Sequence, residues 1–199
     1  YEIERNLMKI KSKIKKDKEI NDNNNANKDY EKDNKFNYYK NSTDSSLDWS
    51  IISWLRKYTK LPLILKGITY IEDALKAAEY DIDGIIISNH GGRQLDTSPS
   101  TIEILHSIKI AFDKYYQNTE KKKVELFIDS GFRKGEDIIK SLALGAKAVF
   151  LGRPIIWGLA CDGEYGINKI FQILKNEVIE AMNITGCYRI EDLDINIIN

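Results

Sequence analysis

One histidine of the chain lies in a segment whose residue types suit proton transfer on an anionic substrate. The segment reads Ser88-Asn89-His90-Gly91-Gly92-Arg93 and follows the β-branched run GIII. An imidazole titrates near neutral pH and suits a general base, whereas the planar guanidinium of Arg93 matches a carboxylate. The other histidine, His106, falls in the middle of a predicted helix, where a structural role is usual. We therefore expect His90 and Arg93 to act together on a hydroxy acid or another carboxylate.

Two further loops combine glycine with arginine and favour the binding of a phosphate. Gly131 and Gly135 flank the residues Phe132-Arg133-Lys134, and Gly152-Arg153 occurs in the next loop along the chain. Glycine lets backbone N–H groups approach an anion closely, and arginine holds phosphate with two parallel hydrogen bonds. The alternative interpretation is that these glycines only form tight turns. The occurrence of both residue types in two consecutive loops favours a phosphate site.

The elements that position these loops are predicted to be alternating strands and helices. Strands are predicted at 61–66, 84–88, 124–129 and 148–151, and helices at 48–55, 71–80, 101–115, 136–144 and 167–184. Asp48 is the expected N-cap of the first helix, and Gly67 is expected to end the first strand. Strands that are apolar on both faces and alternate with helices predict an α/β fold with a parallel sheet covered by helices. Ligands of such folds bind beyond the carboxyl ends of the strands, where all the polar loops described above lie.

Composition excludes several functional classes. The chain has 199 residues, about one domain, and its 30 Lys+Arg balance its 30 Asp+Glu. A neutral chain lacks the basic surface expected of a nucleic-acid-binding protein, and no apolar run reaches the roughly 18 residues of a membrane span. Without a secretory signal, we expect an intracellular protein, cytoplasmic or organellar. Cys161 and Cys187 have no metal-ligand spacing, so we expect two reduced, buried thiols and no metal site.

The amino-terminal region differs in composition from the rest. Residues 9–46 are dense in Lys, Asn and Asp and nearly free of aliphatic clusters. Such a segment buries too little apolar surface to offset the entropy lost on ordering. We therefore predict a disordered insert or loop at 1–46 and a folded region at 47–199. The first residue is Tyr, so the chain is expected to be a fragment or a processed product.

Three segments of the folded region closely resemble the FMN-dependent α-hydroxy acid oxidases and dehydrogenases. They read LPLILKG, GIIISNHGGRQLD and FIDSGFRKGEDIIKSLALGAKAVFLGRP. The resemblance covers about residues 47–199, and the combination of SNHGGRQLD, DSGFRKG and LGRP is specific to that family. The fold that it implies is a TIM (β/α)₈ barrel, of which this chain holds the second half, with four βα units.

The resemblance assigns a role to each polar loop residue. His90 would be the catalytic base and Arg93 the substrate-binding residue. FMN would be bound by Lys66 beside its pyrimidine ring, by Ser88 through a hydrogen bond and by Asp129 along the ribityl chain. Its phosphate would be held by Gly131, Arg133, Gly152 and Arg153, and Ser130 and Phe132 would complete the cofactor site. Ser130 stands where many members have Gly, although some members share the DSG sequence.

The function implied is oxidation of a glycolate-like or lactate-like 2-hydroxy acid to the 2-oxo acid. The resemblance leaves two points open: whether the electrons pass as a hydride or through a carbanion, and which electron acceptor receives them. The alternative is a non-catalytic half barrel that at most binds FMN or phosphate. A half barrel exposes two strand edges and an apolar face. The expected partners are therefore the substrate and the missing N-terminal half barrel, in the same or a separate chain, with a homo-oligomer as an open alternative.

Overall fold

The computed structural model describes residues 46–198, and the chain divides into two units between Lys60 and Leu61. The first unit contributes one described helix, α1 (Ser50–Arg56). Trp49, rather than Asp48, occupies its N-cap position. The Asp48 carboxylate nevertheless accepts a 2.8 Å hydrogen bond from the N–H of Ser50. The insert predicted at 1–46 lies outside the described residues, apart from its last residue.

The second unit is built on a four-stranded parallel sheet. Its strands β1 (Ile64–Ile68), β2 (Gly84–Ile87), β3 (Glu125–Ile128) and β4 (Ala148–Val149) are neighbours in their order along the chain. The predicted α/β class with a parallel sheet is therefore confirmed. Because all pairs are parallel, the carboxyl ends of the four strands meet at one edge of the sheet.

A helix follows each strand. They are α2 (Ile71–Glu79), α3 (Thr101–Tyr116), α4 (Gly135–Ala143) and α5 (Arg153–Thr185), with short 3₁₀ turns at His90–Gly92, Ile190–Asp192 and Ile195–Ile197. α3 packs on β2 and β3, and α4 packs against α5. The core between sheet and helices is aliphatic, with the side chains of Ile85, Ile87, Leu105, Ile108 and Ile128 wholly inaccessible to solvent. Each such side chain contributes about 1.5–3 kcal/mol on burial, so the strand ends are firmly held.

The first strand differs from its prediction. Gly67 was expected to end a strand at 61–66, but β1 begins at Ile64 and continues through Gly67 to Ile68. The strand pairing shifts between Lys66 and Ile68, where Gly67 has a φ of +93°. Glycine accepts a positive φ without steric cost, and a bulge of this kind redirects the neighbouring side chain. Lys66 is the residue that directly precedes Gly67 at this shift.

The last helix is longer than predicted because it contains a kink that the sequence pattern obscures. The helix expected at 167–184 instead begins at Arg153, and its backbone leaves helical geometry at Asp162 and Gly163. The kink folds the segment back on itself, so that a Cβ on Gly158 would lie only 2.7 Å from the carbonyl oxygen of Gly166. Two helical segments therefore meet through glycine backbones.

The surface corrects one further expectation. Cys161 is exposed and Cys187 is partly exposed, so the prediction of two buried thiols is wrong, although both are free. Cys161 directly precedes the kink at Asp162 and Gly163. No helix in the described part of the chain combines the length and the apolarity needed to cross a membrane.

Candidate functional site

A cleft of about 250 Å³ lies at the carboxyl ends of the strands, lined by Lys66 of β1, by the loops after β2, β3 and β4, and by the first turn of α5. Ten of the eleven residues singled out from the sequence line it: Lys66, His90, Arg93, Asp129, Ser130, Gly131, Phe132, Arg133, Gly152 and Arg153. The eleventh, Ser88, is buried beneath this lining and bonded to Lys66. Sequence reasoning missed Gly91, Phe150, Leu151 and Ile156, which also line the cleft. The sequence-predicted residues are thus brought together at one edge of the sheet.

Lys66 forms a polar cluster with Ser88 and Asp129. Its ammonium Nζ lies 2.9 Å from Asp129 Oδ2 and donates a 2.8 Å hydrogen bond to Ser88 Oγ. Burial by itself would raise the pKa of Asp129, but hydrogen bonds from Ser130, Ser88 and Lys66 and the charge of Lys66 outweigh burial and lower that pKa. Asp129 is therefore ionised at neutral pH, and its carboxylate holds the ammonium group of Lys66 beside the cleft.

The turn after β2 has an unusual backbone. His90, Gly91 and Gly92 have φ values of +55°, +67° and +74°, a left-handed conformation that only glycine adopts freely. Hydrogen bonds hold the turn: the N–H of His90 donates to Ser88 Oγ at 3.1 Å, and the N–H of Gly91 donates to Asn89 Oδ1 at 3.0 Å. These hydrogen bonds fix the turn that places His90 at the cleft.

The side chains of His90 and Arg93 are exposed on the cleft. Within residues 46–198, neither the imidazole nor the guanidinium makes a side-chain hydrogen bond or an ion pair. Both groups are therefore available to a ligand. A histidine and an arginine on one wall can bind a carboxylate and exchange a proton with the group next to it.

Ser130 connects the loop after β3 to the turn after β2. Its hydroxyl donates a 2.6 Å hydrogen bond to Asp129 Oδ1 and accepts a 3.0 Å hydrogen bond from the N–H of Gly91. Thr101 Oγ1, at the start of α3, donates to the carbonyl oxygens of Asp129 and Ser130 at 2.7 and 3.2 Å. The sequence contained no signal for the contacts of Ser130 with Gly91 and of Thr101 with this loop, because those partners are 28 to 39 residues apart.

Carboxylates already occupy the N-terminus of α4. Asp137 Oδ2 accepts hydrogen bonds of 3.0 Å from the N–H groups of Arg133 and Lys134, and Glu177 Oε2 accepts one of 2.7 Å from Gly135. An acidic residue three positions after the N-cap can be predicted from the sequence as a capping residue. The hydrogen bond from Gly135 to Glu177 of α5 cannot be predicted in this way. An anion would therefore bind next to this helix end rather than on it.

Free backbone donors lie beside that helix end. Within the described part of the chain, the N–H groups of Gly131, Phe132 and Gly152 donate no hydrogen bond. Gly131 has a φ of +91°, and Cβ atoms built on Gly131 and Gly152 would meet nothing within 4 Å. All three residues line the same cleft, and unbonded N–H groups in a glycine-containing loop are typical of a phosphate site.

Two arginines add positive charge to this region. The Arg133 guanidinium stacks 4.5 Å above the Trp157 ring, and its Nη1 donates a 3.1 Å hydrogen bond to the Phe132 carbonyl oxygen. Arg153 Nη2 donates a 2.9 Å hydrogen bond to the Gly91 carbonyl oxygen. An aromatic ring and a carbonyl oxygen both orient a guanidinium without neutralising its charge. Arg133 and Arg153 therefore remain able to attract an anion.

Comparison with known proteins identifies the family. The family model described as FMN-dependent dehydrogenase matches residues 3–199. The chain belongs to the FMN-dependent dehydrogenase family. The resemblance inferred from its three motifs is thereby confirmed, and FMN is the cofactor on which the family depends.

Relatives within this family include curated proteins and solved structures. The chain is 48% identical over 157 residues to 2-hydroxyacid oxidase 1 of Mus musculus, covering 79% of the chain and 40% of the relative. It is 48% identical to a peroxisomal (S)-2-hydroxyacid oxidase of Arabidopsis thaliana, with 77% and 40% covered. The flavin-binding domain of baker's yeast flavocytochrome b2 matches with 42% identity, a TM-score of 0.73 and 77% and 38% covered. The chain thus spans about two fifths of the length of these relatives.

The residues of the cleft fit the cofactor of this FMN-dependent dehydrogenase family. The two open glycines leave a cradle that a Cβ at Gly131 or Gly152 would partly fill, and free N–H groups together with two arginines match a phosphate. Lys66 and Asp129 provide donors and acceptors that suit a polar ring edge and hydroxyl groups. The chemistry of the donor set therefore agrees with FMN.

Proposed function

We propose that the protein oxidises a 2-hydroxy acid to the corresponding 2-oxo acid with FMN as cofactor. The observation that carries the proposal is that His90 and Arg93 line one cleft together with the glycine- and arginine-containing loops. Within residues 46–198, neither side chain has a hydrogen-bond or ion-pair partner. The names of the curated relatives, 2-hydroxyacid oxidases of mouse and Arabidopsis, support the substrate class.

The substrate is bound by its carboxylate. The fork of Arg93 pairs with both oxygens of a carboxylate, which leaves the 2-hydroxyl-bearing carbon of the substrate near His90 on the same wall of the cleft. Oxidation of the 2-hydroxyl-bearing carbon removes two hydrogens from the substrate, and His90 accepts one of them as a proton at its imidazole. FMN, when bound, would supply the oxidising capacity that takes up the two electrons and the second hydrogen. The proposed substrates are small 2-hydroxy acids such as glycolate and lactate.

The cofactor would be held by Lys66 of β1, by Ser88 after β2 and by the loops after β3 and β4. Lys66 and Ser88 would bind the polar edge of the flavin ring, and Asp129 would contact the ribityl chain. The phosphate is bound by the loop residues Gly131, Phe132, Arg133, Gly152 and Arg153. Lys66 would place a positive charge beside the flavin ring, where a cation favours the reduced, anionic form of the cofactor.

The second unit is the second half of a (β/α)₈ barrel. Three features support this proposal: the strands are neighbours in chain order, a helix follows each strand, and the relatives are more than twice as long as the matched segment. Exposed apolar side chains on α5, among them Ile156, Trp157, Leu159 and Phe171, suit a surface covered by the other half. Under this proposal residues 47–199 form the half barrel and 1–46 a loop that precedes it.

Anaerobic reduction of the bound FMN tests the function. The FMN-loaded full-length protein is mixed without oxygen with glycolate, lactate and 2-hydroxybutyrate, and with 3-hydroxybutyrate as the matched control. We expect bleaching of the flavin absorbance and release of the 2-oxo acid with the 2-hydroxy acids alone. A protein that binds FMN but is not reduced by any 2-hydroxy acid would contradict the proposal and favour the non-catalytic alternative.

A further inference from the structure

Ser130 has a backbone conformation that is unusual for a residue with a side chain. Its φ is +76°, in the region that L-residues seldom occupy and glycine occupies freely. The following residue, Gly131, has a φ of +91°, so the loop after β3 turns through two left-handed positions. Strain of this kind is usually retained where the side chain has a task.

The hydrogen bonds of the Ser130 hydroxyl have a fixed direction. Asp129 is an ionised carboxylate with no proton to give, so the hydroxyl proton at 2.6 Å must point to Asp129 Oδ1. The hydroxyl oxygen is then left with lone pairs only, and it accepts the N–H of Gly91 at 3.0 Å. Asp129 is fixed in turn by Lys66 at 2.9 Å. A continuous path of polar contacts therefore links Lys66 to the backbone of the turn that displays His90.

We propose that Ser130 is a positioning residue that fixes His90 through the N–H of Gly91, and that it is not the cofactor ligand predicted from the sequence. The turn needs such a restraint because it contains Gly91 and Gly92, whose backbones have the widest conformational freedom. Asn89 provides the only other acceptor for this N–H among the described residues, at 3.0 Å. This inference rests on the proposed role of His90 as the base.

Two variants separate positioning from mere structural support. Ser130→Ala removes the hydroxyl and keeps a Cβ at positive φ, whereas Ser130→Gly removes both the hydroxyl and the strain. Ser130→Gly should therefore resist urea better than Ser130→Ala, yet both should reduce their flavin more slowly. Ser141→Ala is the matched control, because Ser141 is buried but its hydroxyl bonds only to the Asp137 carbonyl oxygen within α4.

The measurements use the FMN-loaded full-length protein. Hydrogen exchange of the Gly91 amide, read by NMR, should become roughly 3- to 10-fold faster in both Ser130 variants, as expected for the loss of one hydrogen bond. Flavin reduction by a saturating 2-hydroxy acid should slow by roughly 10- to 100-fold, the effect of a misplaced catalytic group. The Kd for FMN should stay at the parental value, and Ser141→Ala should leave the exchange rate, the reduction rate and the Kd unchanged.

Each alternative result has a distinct meaning. Unchanged Gly91 exchange in both variants, or a parental reduction rate in Ser130→Gly, would overturn the inference even if the parental protein is active. A large rise in the Kd for FMN with an unaltered reduction rate would make Ser130 a cofactor ligand and would also overturn it. A parental flavin that no 2-hydroxy acid reduces would instead contradict the proposed function, while the exchange measurement would still decide the link between Ser130 and Gly91. If Ser130→Ala fails to fold, Ser130→Gly alone decides the inference.

Discussion

The guanidinium of Arg153 lies against the backbone of Gly91. Its Nη2 donates a 2.9 Å hydrogen bond to the Gly91 carbonyl oxygen, and a Cβ on Gly91 would come within 2.9 Å of the same nitrogen. The two residues are 62 positions apart: Arg153 is the first residue of α5, and Gly91 lies in the turn after β2. Under the proposed function, this contact joins the loop that binds the phosphate to the turn that carries the base.

Replacement of Arg153 tests the phosphate site. Arg153→Ala should weaken FMN binding by about 1.5–3 kcal/mol, the usual value of a hydrogen bond to a charged group. Titration of flavin fluorescence measures the Kd. Arg189→Ala is the control, because Arg189 is exposed, pairs with Asp192 at 2.9 Å and does not line the cleft. An unchanged Kd for Arg153→Ala would exclude this side chain from the cofactor site.

Replacement of Arg93 tests the carboxylate anchor. Arg93→Lys keeps the positive charge but loses the planar fork, so we expect KM for a 2-hydroxy acid to rise about tenfold while the Kd for FMN stays constant. The methyl ester of the same 2-hydroxy acid has no carboxylate. The parental protein should therefore discriminate strongly between acid and ester, and the variant should do so less. Equal discrimination by both proteins would mean that Arg93 does not contact the carboxylate.

The element pattern was largely readable from the sequence, and the exceptions have physical causes. β2, built from Gly84 to Ile87, and α3, from Thr101 to Tyr116, lie within a residue or so of their predictions because apolar periodicity determines both. The start of α5 was missed because its glycines resemble a loop. In the structure, Gly158 and Gly166 allow two helical segments to meet, a tertiary requirement that a local pattern does not express.

The residues of the candidate site could be predicted from the sequence, but the contacts between them could not. The motifs predicted ten of the residues that line the cleft, since the loops of parallel strands converge at one sheet edge. The partners of those residues were not predictable. The hydrogen bonds that Gly91 makes with Ser130 and with Arg153 join residues that are far apart in the sequence. A local sequence pattern does not express such contacts.

The lowered pKa of Asp129 predicts a dependence of stability on acid. A carboxyl whose pKa is lower in the folded state stabilises the fold above its unfolded pKa of about 3.9 and loses that contribution as pH falls towards the folded value. The free energy of unfolding, measured in urea, should therefore fall below about pH 4 partly through Asp129. Asp129→Asn should be less stable at pH 7 and show a smaller decline in acid. An identical decline in both proteins would contradict ionised Asp129 as a stabilising group.

The kink in α5 predicts a strict need for glycine. A Cβ on Gly166 would overlap the Gly158 carbonyl oxygen, so Gly166→Ala should lower the free energy of unfolding by about 1–3 kcal/mol, as overpacking usually does. Urea denaturation measures the change, and Ser107→Ala, an exposed helical substitution on α3, is the control. A Gly166→Ala protein as stable as the parental protein would mean that the two segments do not approach as closely as described.

The most direct test of the central claim is the rate at which substrate reduces the flavin when His90 is replaced. His90→Asn keeps a polar side chain but removes the titrating group, so the FMN-loaded full-length protein should keep its Kd for FMN. Anaerobic stopped-flow mixing with a 2-hydroxy acid should show flavin reduction slowed by roughly 10²- to 10⁴-fold, the usual effect of losing a general base. His106→Asn, which alters the histidine in the middle of α3, should reduce its flavin at the parental rate. Flavin reduction by His90→Asn at the parental rate would contradict the account.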